Sequence, residues 1–462
     1  MEILNFLDLN NIRYVVWKNS NLINDFFKGK ENLDLLIDTN PDKVDEIFLS
    51  NGWFELKSLT YNQDNIKHYY YLYNGKLLHI HIYFELFTGD SIAKEFFFDK
   101  SKLFDNFFID EKYKIRILNI NIQKYLFFLR VIIKNSSIFG ILLFLRQKKL
   151  YLKEHIYLNN LDKNIFHIYQ LPKNLIDRMN SNSIKNIYVP NYFLCIYYCY
   201  QIRRCKRFNF LKKNLIIIFS IINNILNKKL FKRKQYLNKG KLICLVGPDG
   251  SGKSTLINHI SQKYNFIAIK RYNISKPYPK IFIKLVILYK NSIFNIKKNN
   301  DSNKMKRKSS LIFLLKSIIL AYFKLQISKK INKDIDNGYL VLCDRYISKN
   351  IGDINGPRII NGKGVIENFF SKIELHFYNL ISNYNFQIKL DLSLKNCLYR
   401  NQNRLKDVTK NDEEIKDRYL LYDKSFFESN VLFVLDNNIS LELTKEKIIS
   451  TVNKILCYNS KN

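Results

Sequence analysis

Cysteines and acidic residues are scarce in this sequence, and each scarcity excludes some classes of protein. The seven cysteines are scattered over 462 residues without a C-x-x-C pair. This pattern excludes a disulfide-stapled scaffold, so we expect free thiols in a reducing compartment. Cys244 and Cys343 stand inside apolar runs, which predicts that both lie on buried strands.

Long uninterrupted hydrophobic runs are also lacking. The best candidate for a membrane span, Leu311 to Ile327, is interrupted by Lys316 and Lys324 and is shorter than a bilayer requires. We interpret it as a buried helix. The N-terminus has an acidic second residue and no small-residue cleavage site after a hydrophobic run, so no secretory signal is evident. We therefore expect a cytoplasmic protein without stable membrane insertion.

The shortage of acidic residues gives the chain a formal net charge of +35, from 75 Lys plus Arg against 40 Asp plus Glu. This charge permits an anionic partner such as nucleic acid, lipid head groups or phosphorylated small molecules. Lys, Asn, Ile, Tyr and Phe dominate the whole chain, however, so the positive charge is spread over every surface. Charge alone therefore does not indicate nucleic-acid binding. With 25% charged and 47% hydrophobic residues, the composition predicts a globular protein, and the length predicts two or three domains.

Strand-like and helix-like runs alternate in the second half of the sequence, downstream of Gly240. The expected strands cover residues 241–246, 339–343, 387–392 and 431–436, and a last helix begins near residue 442. This alternation predicts an α/β fold in three layers, with a parallel sheet between two layers of helices. A ligand then belongs at the carboxyl ends of the strands.

The first half has a different pattern. Strand-like and helical runs are mixed up to about residue 110, and long apolar stretches with few glycines follow. A basic stretch from Asn227 to Lys241 precedes the first strand of the second half. We therefore expect an α+β domain at 1–110, a helical extension with a basic linker at 111–235, and the α/β domain at 236–462.

A glycine-rich stretch, GPDGSGKSTL, follows the first of the later strands. Its glycines let backbone N–H groups surround a phosphate, and the next helix directs its positive end at the same point. Lys253 would add a charge at the terminal phosphates, and Ser254 a hydroxyl for Mg²⁺. The alternative is a glycine-rich turn with an incidental lysine. The predicted nucleotide-binding residues are Gly247, Asp249, Gly250, Ser251, Gly252, Lys253, Ser254 and Thr255.

Two further groups of charged residues follow later strands. Asp344 and Arg345 end the strand predicted at 339–343, where a carboxylate can hold the Mg²⁺ shell and a guanidinium can grip a phosphate. A surface ion pair is the alternative for these two. Arg400 and Arg404 stand four apart on one face of a predicted helix, where they could neutralise a migrating phosphoryl group. A solvated basic helix face is the alternative there.

From Lys241 onward the sequence resembles the thymidylate kinase family of P-loop nucleoside monophosphate kinases. The matching motifs are GPDGSGKSTL, CDRY and LDLSLKNCLYRNQNR, which occur in the family's order over about half the chain. The resemblance implies a five-stranded parallel sheet, ATP and Mg²⁺ as cofactors, and phosphorylation of a monophosphate acceptor. Members of this family commonly dimerise, so a homodimer is also expected.

The same resemblance implies a role for each matching residue. Asp249 would face the acceptor, Arg345 would grip its phosphate, and the arginines at 400 and 404 would close as a lid. The family's Arg-Glu-Pro-Gly stretch and its segment ending in Ala-Tyr-Gln are missing, which argues against thymidine specificity. The implied catalytic residues are Lys253, Asp344, Arg345, Arg400 and Arg404, and the implied metal ligands are Ser254 and Asp344.

The first domain resembles an uncharacterised nucleotidyltransferase-like family through NLDLLID and LLHIHIYFEL. That family holds two Mg²⁺ ions with a carboxylate pair on one strand and a third carboxylate on a later strand. Here Asn32 replaces the first carboxylate, Asp34 keeps the second, His79 takes the place of the third, and His81 matches a family histidine. Because amides and imidazoles hold Mg²⁺ poorly, we expect the fold with little transferase activity. Ordinary polarity at a strand edge is the alternative.

Three functions of different classes follow from these patterns. The first is a kinase that moves the γ-phosphate of ATP to a nucleoside monophosphate or another small acceptor. The second is an ATP-binding switch or interaction protein that hydrolyses slowly, and the third is a nucleic-acid-associated protein. For the kinase we expect Lys253→Ala to abolish phosphorylation while folding survives, because the sequence places this lysine on a surface loop.

Overall fold

The structure, a computed structural model, describes most of both halves of the chain. The described residues are 4–58, 66–88, 96–98, 100–123, 234–275, 311–360, 364–403, 411–425 and 429–458, with single residues 126, 215 and 277. The chain divides into two compact units, Met1–Lys232 and Arg233–Tyr458. Most of the helical extension expected at 111–235 lies outside the described residues.

The first unit contains a mixed β-sheet and three short helices among its described residues. The helices are α1 (Asn5–Leu9), α2 (Ile23–Phe27) and α3 (Pro41–Ser50). The strands are β1 (Tyr14–Lys18), β2 (Asn32–Ile37), β3 (Phe54–Ser58), β4 (Ile66–Tyr73), β5 (Lys76–Tyr83), β6 (Leu86–Thr88), β7 (Phe96–Phe98), β8 (Phe107–Ile109) and β9 (Arg116–Leu118). Within this unit the sheet order is β3-β4-β5-β2-β1-β9-β8, and β6 pairs separately with β7. The nucleotidyltransferase-like arrangement stays a prediction.

Strand direction and one buried helix face organise the first unit. Strand β2 runs antiparallel to β1 and parallel to β5. The parallel register places Asn32 beside His79 and Asp34 beside His81. Helix α3 begins where the Asn40 side chain accepts a hydrogen bond from Asp42 N at 2.8 Å, a normal N-cap. Phe48 from this helix packs against Trp53 and Tyr69 with ring centroids 5.4 and 4.6 Å away. These contacts anchor the helix on the sheet.

The second unit contains the predicted parallel sheet. Its strands are β10 (Lys234–Tyr236), β11 (Lys241–Val246), β12 (Ile269–Asn273), β13 (Leu340–Asp344), β14 (Tyr384–Asp391) and β15 (Ser429–Asp436). Its helices are α4 (Lys253–Lys263), α5 (Leu311–Asp336), α6 (Val365–Asn379), α7 (Leu394–Gln402), α8 (Asp412–Lys424) and α9 (Leu441–Cys457). The five-stranded sheet has the order β12-β13-β11-β14-β15 with every pair parallel, which confirms the α/β prediction.

Helices pack against the sheet of the second unit, and its central strands β11 and β13 are almost entirely buried. Cys244 and Cys343 are neighbours in register, carry free thiols, and pack in one core cluster with Ala321 and Leu325 of α5. Helices α4 and α9 contact each other, where the Tyr264 hydroxyl donates to Asn453 Oδ1 at 2.6 Å. Strand order reverses at β11, because β13 lies on one side and β14 on the other. In parallel sheets this reversal is the usual place for a ligand.

The apolar run at 311–327 belongs to the 26-residue helix α5. Its inner residues, among them Leu314, Leu320 and Ala321, are buried, whereas Leu311 and Phe313 are exposed. The expected buried helix is therefore buried on one face only, and its other face is exposed. Among the described residues, no helix combines the length and the hydropathy needed to span a bilayer.

Candidate phosphate-binding site

The loop after β11 has the geometry that its glycines predict. Gly250 and Gly252 adopt φ angles of +86° and +75°, which side chains other than glycine adopt only with strain. Gly252 is also the N-cap of α4, so the positive end of this helix follows the loop directly. A strand, a glycine turn and a helix N-terminus thus meet at the strand order reversal, as a phosphate cradle requires.

Lys253 is more deeply placed than the sequence suggested. Its side chain is buried, and its ammonium group donates to the carbonyls of Gly247 at 2.9 Å and Pro248 at 2.8 Å, and to Ser251 Oγ at 3.2 Å. The expectation of a surface lysine that contributes little to packing is therefore wrong. The side chain of Lys253 bridges both ends of the loop, because residues 247 and 248 enter it and residue 251 leaves it.

Ser254 and Asp344 come together, as predicted for a metal-binding pair. The Ser254 hydroxyl donates to Asp344 Oδ2 at 2.8 Å. Asp344 ends β13, which lies beside β11, so the parallel register brings its carboxylate to the first turn of α4. Thr255, the next residue of that turn, is exposed.

These two residues fit a magnesium ion. The other carboxylate oxygen, Asp344 Oδ1, is buried and accepts no hydrogen bond from the described residues. A buried carboxylate oxygen without a donor is costly unless a cation or an ordered water satisfies it. Carboxylate and hydroxyl oxygens are the ligands Mg²⁺ prefers, so Ser254 and Asp344 would hold the ion that accompanies a bound nucleotide.

The Asp249 side chain lies between two arginines. Arg345 Nη2 donates to Asp249 Oδ1, and Arg418 Nε lies 3.0 Å from Asp249 Oδ2. The alternative of a surface ion pair at Asp344 and Arg345 is therefore wrong, because Arg345 pairs with Asp249 of the phosphate loop. Asp249 is largely buried, whereas Arg418 keeps 36% of its side-chain surface exposed. Arg418 thus presents its guanidinium to solvent at the same point.

An open cleft lies beside this ion-pair group. The space between its walls is about 310 Å³, including open solvent. Burial, followed by the nearby Asp391 carboxylate, raises the pKa of Tyr422, so this hydroxyl stays protonated. The cleft joins the phosphate loop to the carboxyl end of β13 and to helix α8. Its lining residues are Val246, Gly247, Pro248, Asp249, Arg345, Ile354, Asn355, Arg418 and Tyr422.

The structure describes only one of the two arginines predicted for a lid, Arg400. Arg400 lies on α7, and its Nη2 donates to the backbone carbonyls of Asn437 at 2.8 Å and Ile439 at 3.4 Å. Within the described contacts nothing joins it to Ser254 or Asp344. Helix α7 ends at Gln402, and Arg404 lies outside the described residues. The lid role of both arginines stays a prediction.

Sequence reasoning missed two residues of the site, Arg418 and Asn437. Buried Asn437 donates from Nδ2 to the carbonyl of Ser251 at 2.8 Å and accepts from Thr444 Oγ1 at 3.2 Å, which braces the phosphate loop from the end of β15. Its position directly after the strand predicted at 431–436 was the available signal. Arg418 follows no strand and belongs to no motif, so nothing in the sequence singled it out.

In the first unit, the predicted polar residues of β2 and β5 do meet. Buried Asp34 accepts hydrogen bonds from Asn32 Nδ2 at 3.0 Å and Asn19 Nδ2 at 3.3 Å, and Lys18 Nζ lies 3.4 Å from its Oδ1. Lys18 therefore balances the charge of the Asp34 carboxylate. Little transferase activity in this domain stays a prediction.

The glycine loop, its place at the strand reversal and the serine–aspartate pair define the second unit as a P-loop NTPase domain, which binds ATP through this loop. A family model described as ABC transporter matches residues 232–322. Two solved structures of deoxyadenosine kinase from M. mycoides are similar, one with the products dCMP and a flexible dCDP bound and one with bound dATP. Their identities are 17% and 18%, and each has a TM-score of 0.29 and covers 46% of this chain and 99% of its own. A comparison with curated proteins gave no match.

Proposed function

We propose that the second unit is an ATP-dependent phosphotransferase that moves the γ-phosphate of Mg·ATP to a small anionic acceptor such as a nucleoside monophosphate. The observation that carries the proposal is the cleft beside the phosphate loop, where Arg345 and Arg418 converge on Asp249. A P-loop that only hydrolyses ATP needs room for water. This cleft is lined by two arginines and a tyrosine, which are side chains suited to an anionic small molecule.

The charges of the cleft favour an anion. Two guanidinium groups face one carboxylate, so a net positive charge remains at the point where Arg418 reaches solvent. Arginine binds phosphate through paired N–H donors, and burial on the Asp249 side fixes the orientation of the Arg345 fork. A phosphate or carboxylate of the acceptor would bind here, with the Tyr422 ring beside its neutral part.

The chemistry then follows from the neighbouring groups. In the proposed transfer an acceptor oxygen would attack the γ-phosphorus while the bond to the β,γ-bridging oxygen breaks, with ADP as the leaving group. Lys253 and the loop amides would bind the transferring phosphate, and Ser254 with Asp344 would hold Mg²⁺. Asp249 accepts from Arg345 and lies beside Arg418, so it would hold both guanidinium groups toward the acceptor phosphate, whose attacking oxygen has no proton to lose.

A second candidate is an ATPase or a nucleotide-gated switch. The match of residues 232–322 to the ABC transporter model favours it, because the matched region contains the whole phosphate loop. For this candidate the phosphate of ATP goes to water, and the cleft beside Asp249 has no part in the reaction.

One experiment separates the two candidates. Purified full-length protein is incubated with γ-labelled ATP, Mg²⁺ and pools of nucleoside monophosphates, sugars and sugar phosphates, and labelled products are identified by mass. Phosphotransfer predicts a labelled acceptor, and Arg418→Ala should lower transfer at least tenfold while ATP affinity is unchanged. Arg271→Ala is the matched control, because Arg271 is an exposed arginine of β12. Release of inorganic phosphate with no labelled acceptor in any pool would contradict the proposal and leave the ATPase.

A further inference from the structure

Three histidines of the first unit lie on one face of its sheet. His68 is on β4, and His79 and His81 are on β5. Residues two apart on a strand point to the same face, and His68 is the direct antiparallel partner of His81. All three imidazoles therefore project from one patch of the sheet. Motifs in the sequence single out His79 and His81, whereas His68 joins them only through the pairing of β4 with β5.

Their ring nitrogens are spaced like the ligands of one metal ion. One nitrogen from each of the three rings lies within 4.8 Å of the others. His68 Nδ1 and His79 Nε2 are 3.3 Å apart. Two nitrogens bound to one tetrahedral zinc ion at its usual bond length also lie about 3.3 Å apart. Binding would replace the proton that these two nitrogens share, so it needs no large movement of either ring.

The third histidine is oriented by a buried carboxylate. His81 Nδ1 lies 3.0 Å from Asp34 Oδ1 and 3.2 Å from Asn32 Nδ2. Because a carboxylate only accepts, a hydrogen bond to Asp34 requires the imidazole proton on Nδ1, and we assign the tautomer on this contact. The lone pair of His81 is then on Nε2. A carboxylate that fixes the tautomer of a histidine in this way is the usual support of a metal-binding imidazole. Asp34, which is held by Asn32, Asn19 and Lys18, acts as a positioning residue here and not as a ligand.

The donor set also selects the kind of metal. Three imidazoles suit zinc and its transition-metal neighbours, whereas Mg²⁺ requires oxygen ligands. The three side chains are half-buried, so solvent reaches them. Three protein ligands with one position open to water are typical of catalytic zinc sites, while structural sites use four.

We propose that His68, His79 and His81 form a zinc-type site with an open fourth position, supported by Asp34. The site belongs to the first unit and is independent of the phosphotransfer proposed for the second. It replaces the magnesium chemistry that the substitutions at Asn32 and His79 remove.

The test uses the full-length chain without a histidine tag, stripped of metal by a chelator and dialysed. Titration with Zn²⁺ should give one tight equivalent per chain, Co²⁺ should give the visible spectrum of a tetrahedral site, and Mg²⁺ should not compete. His79→Ala should weaken Zn²⁺ binding more than tenfold, and Asp34→Asn about tenfold or more. His376→Ala, at an exposed histidine of α6, should leave it unchanged. Equal affinity in the His79 and His376 variants would overturn the proposal.

A second measurement avoids the risk that His79→Ala disturbs folding, since Tyr70 stacks on the His79 ring with centroids 4.2 Å apart. Wild-type protein is treated with an imidazole-modifying reagent with and without Zn²⁺, and the modified histidines are mapped by mass spectrometry. Zinc should protect the three histidines of the site but not His376. The proposal fails if protection is the same at His376 or is absent from the three.

Discussion

The Ser254 hydroxyl donates a hydrogen bond to Asp344 Oδ2 at 2.8 Å, and this bond joins the first turn of α4 to the end of β13. The two residues are 90 positions apart in sequence, yet the parallel pairing of β11 with β13 places them at one edge of the sheet. Their contact joins the phosphate loop to the carboxylate that would hold Mg²⁺. It therefore predicts where the magnesium dependence of nucleotide binding originates.

Asp344→Asn should weaken the binding of Mg·ATP by at least tenfold, about 1.4 kcal/mol. The amide keeps the shape of the side chain but removes the charge that would face the ion. Affinity for ATP in the presence of a chelator should change little, because the loop amides and Lys253 remain. Calorimetric titration with and without Mg²⁺ measures both values, and Asp336→Asn, at an exposed carboxylate ending α5, is the control. A loss of equal size in both titrations would show that Asp344 does not act through the metal.

Lys253→Ala should lower the stability of the protein as well as its affinity for nucleotide. The lysine is buried and donates to two loop carbonyls and to Ser251. Removing its ammonium takes this donor from all three groups, although Pro248 O still accepts from Ser251 N, and a buried acceptor that loses its donor costs about 1–3 kcal/mol. Denaturant unfolding without nucleotide measures the change, and Lys263→Ala, in the last turn of the same helix, is the control. If the unfolding curves of Lys253→Ala and the wild type coincide, the lysine contributes nothing to stability and the prediction is wrong.

Local patterns in the sequence predicted the elements on which the site is built. The apolar run before Gly247 and the helix-compatible run after Gly252 place the phosphate loop without any knowledge of long-range contacts. The end of β13 at Asp344 follows from the same kind of pattern, because strand length and polarity change together there. The parallel direction of the strands followed from their alternation with helices.

The other contacts of the two candidate sites depend on long-range packing, for which the sequence carries no local signal. The burial of Lys253 depends on how the loop closes over its side chain. The pairing of Asp249 with Arg418 depends on where α8 packs, and Arg418 is 169 positions away in sequence. His68 joins His81 only through the register of β4 with β5. Each of these contacts is specified by tertiary structure and not by spacing along the chain.

Arg345→Gly should be more stable than Arg345→Ala, by about 1–2 kcal/mol. Arg345 has a φ angle of +68° directly after β13, a left-handed conformation that glycine adopts without strain. Both variants lose the same guanidinium and the same contact with Asp249, so the difference between them isolates the backbone. Urea unfolding of the two proteins measures it. If alanine proves equal to glycine, the backbone at this position is not held in the left-handed region.

Lys324 gives a prediction about pH. Its side chain is 1% exposed, and its ammonium donates to Asn355 O and to the Tyr378 hydroxyl, both at 2.8 Å. Burial, followed by repulsion from Arg358, lowers the pKa of Lys324 from 10.5 to about 7, and the attraction of Glu374 opposes this only in part. Between these two values the folded protein has lost a proton that the unfolded chain still binds.

The free energy of unfolding should therefore rise as the pH is raised from about 7 towards 10, and this gain should be absent below pH 7, where both states are protonated. The slope contributed by Lys324 is on the order of 1 kcal/mol per pH unit. Lys324→Met removes the titrating group, so the difference in unfolding free energy between wild type and variant should shift in favour of the wild type across this range. Denaturant unfolding at several pH values measures the difference, and Lys329→Met, at an exposed lysine of α5, should run parallel to the wild type. A constant difference between wild type and Lys324→Met would mean that the buried lysine keeps its proton throughout.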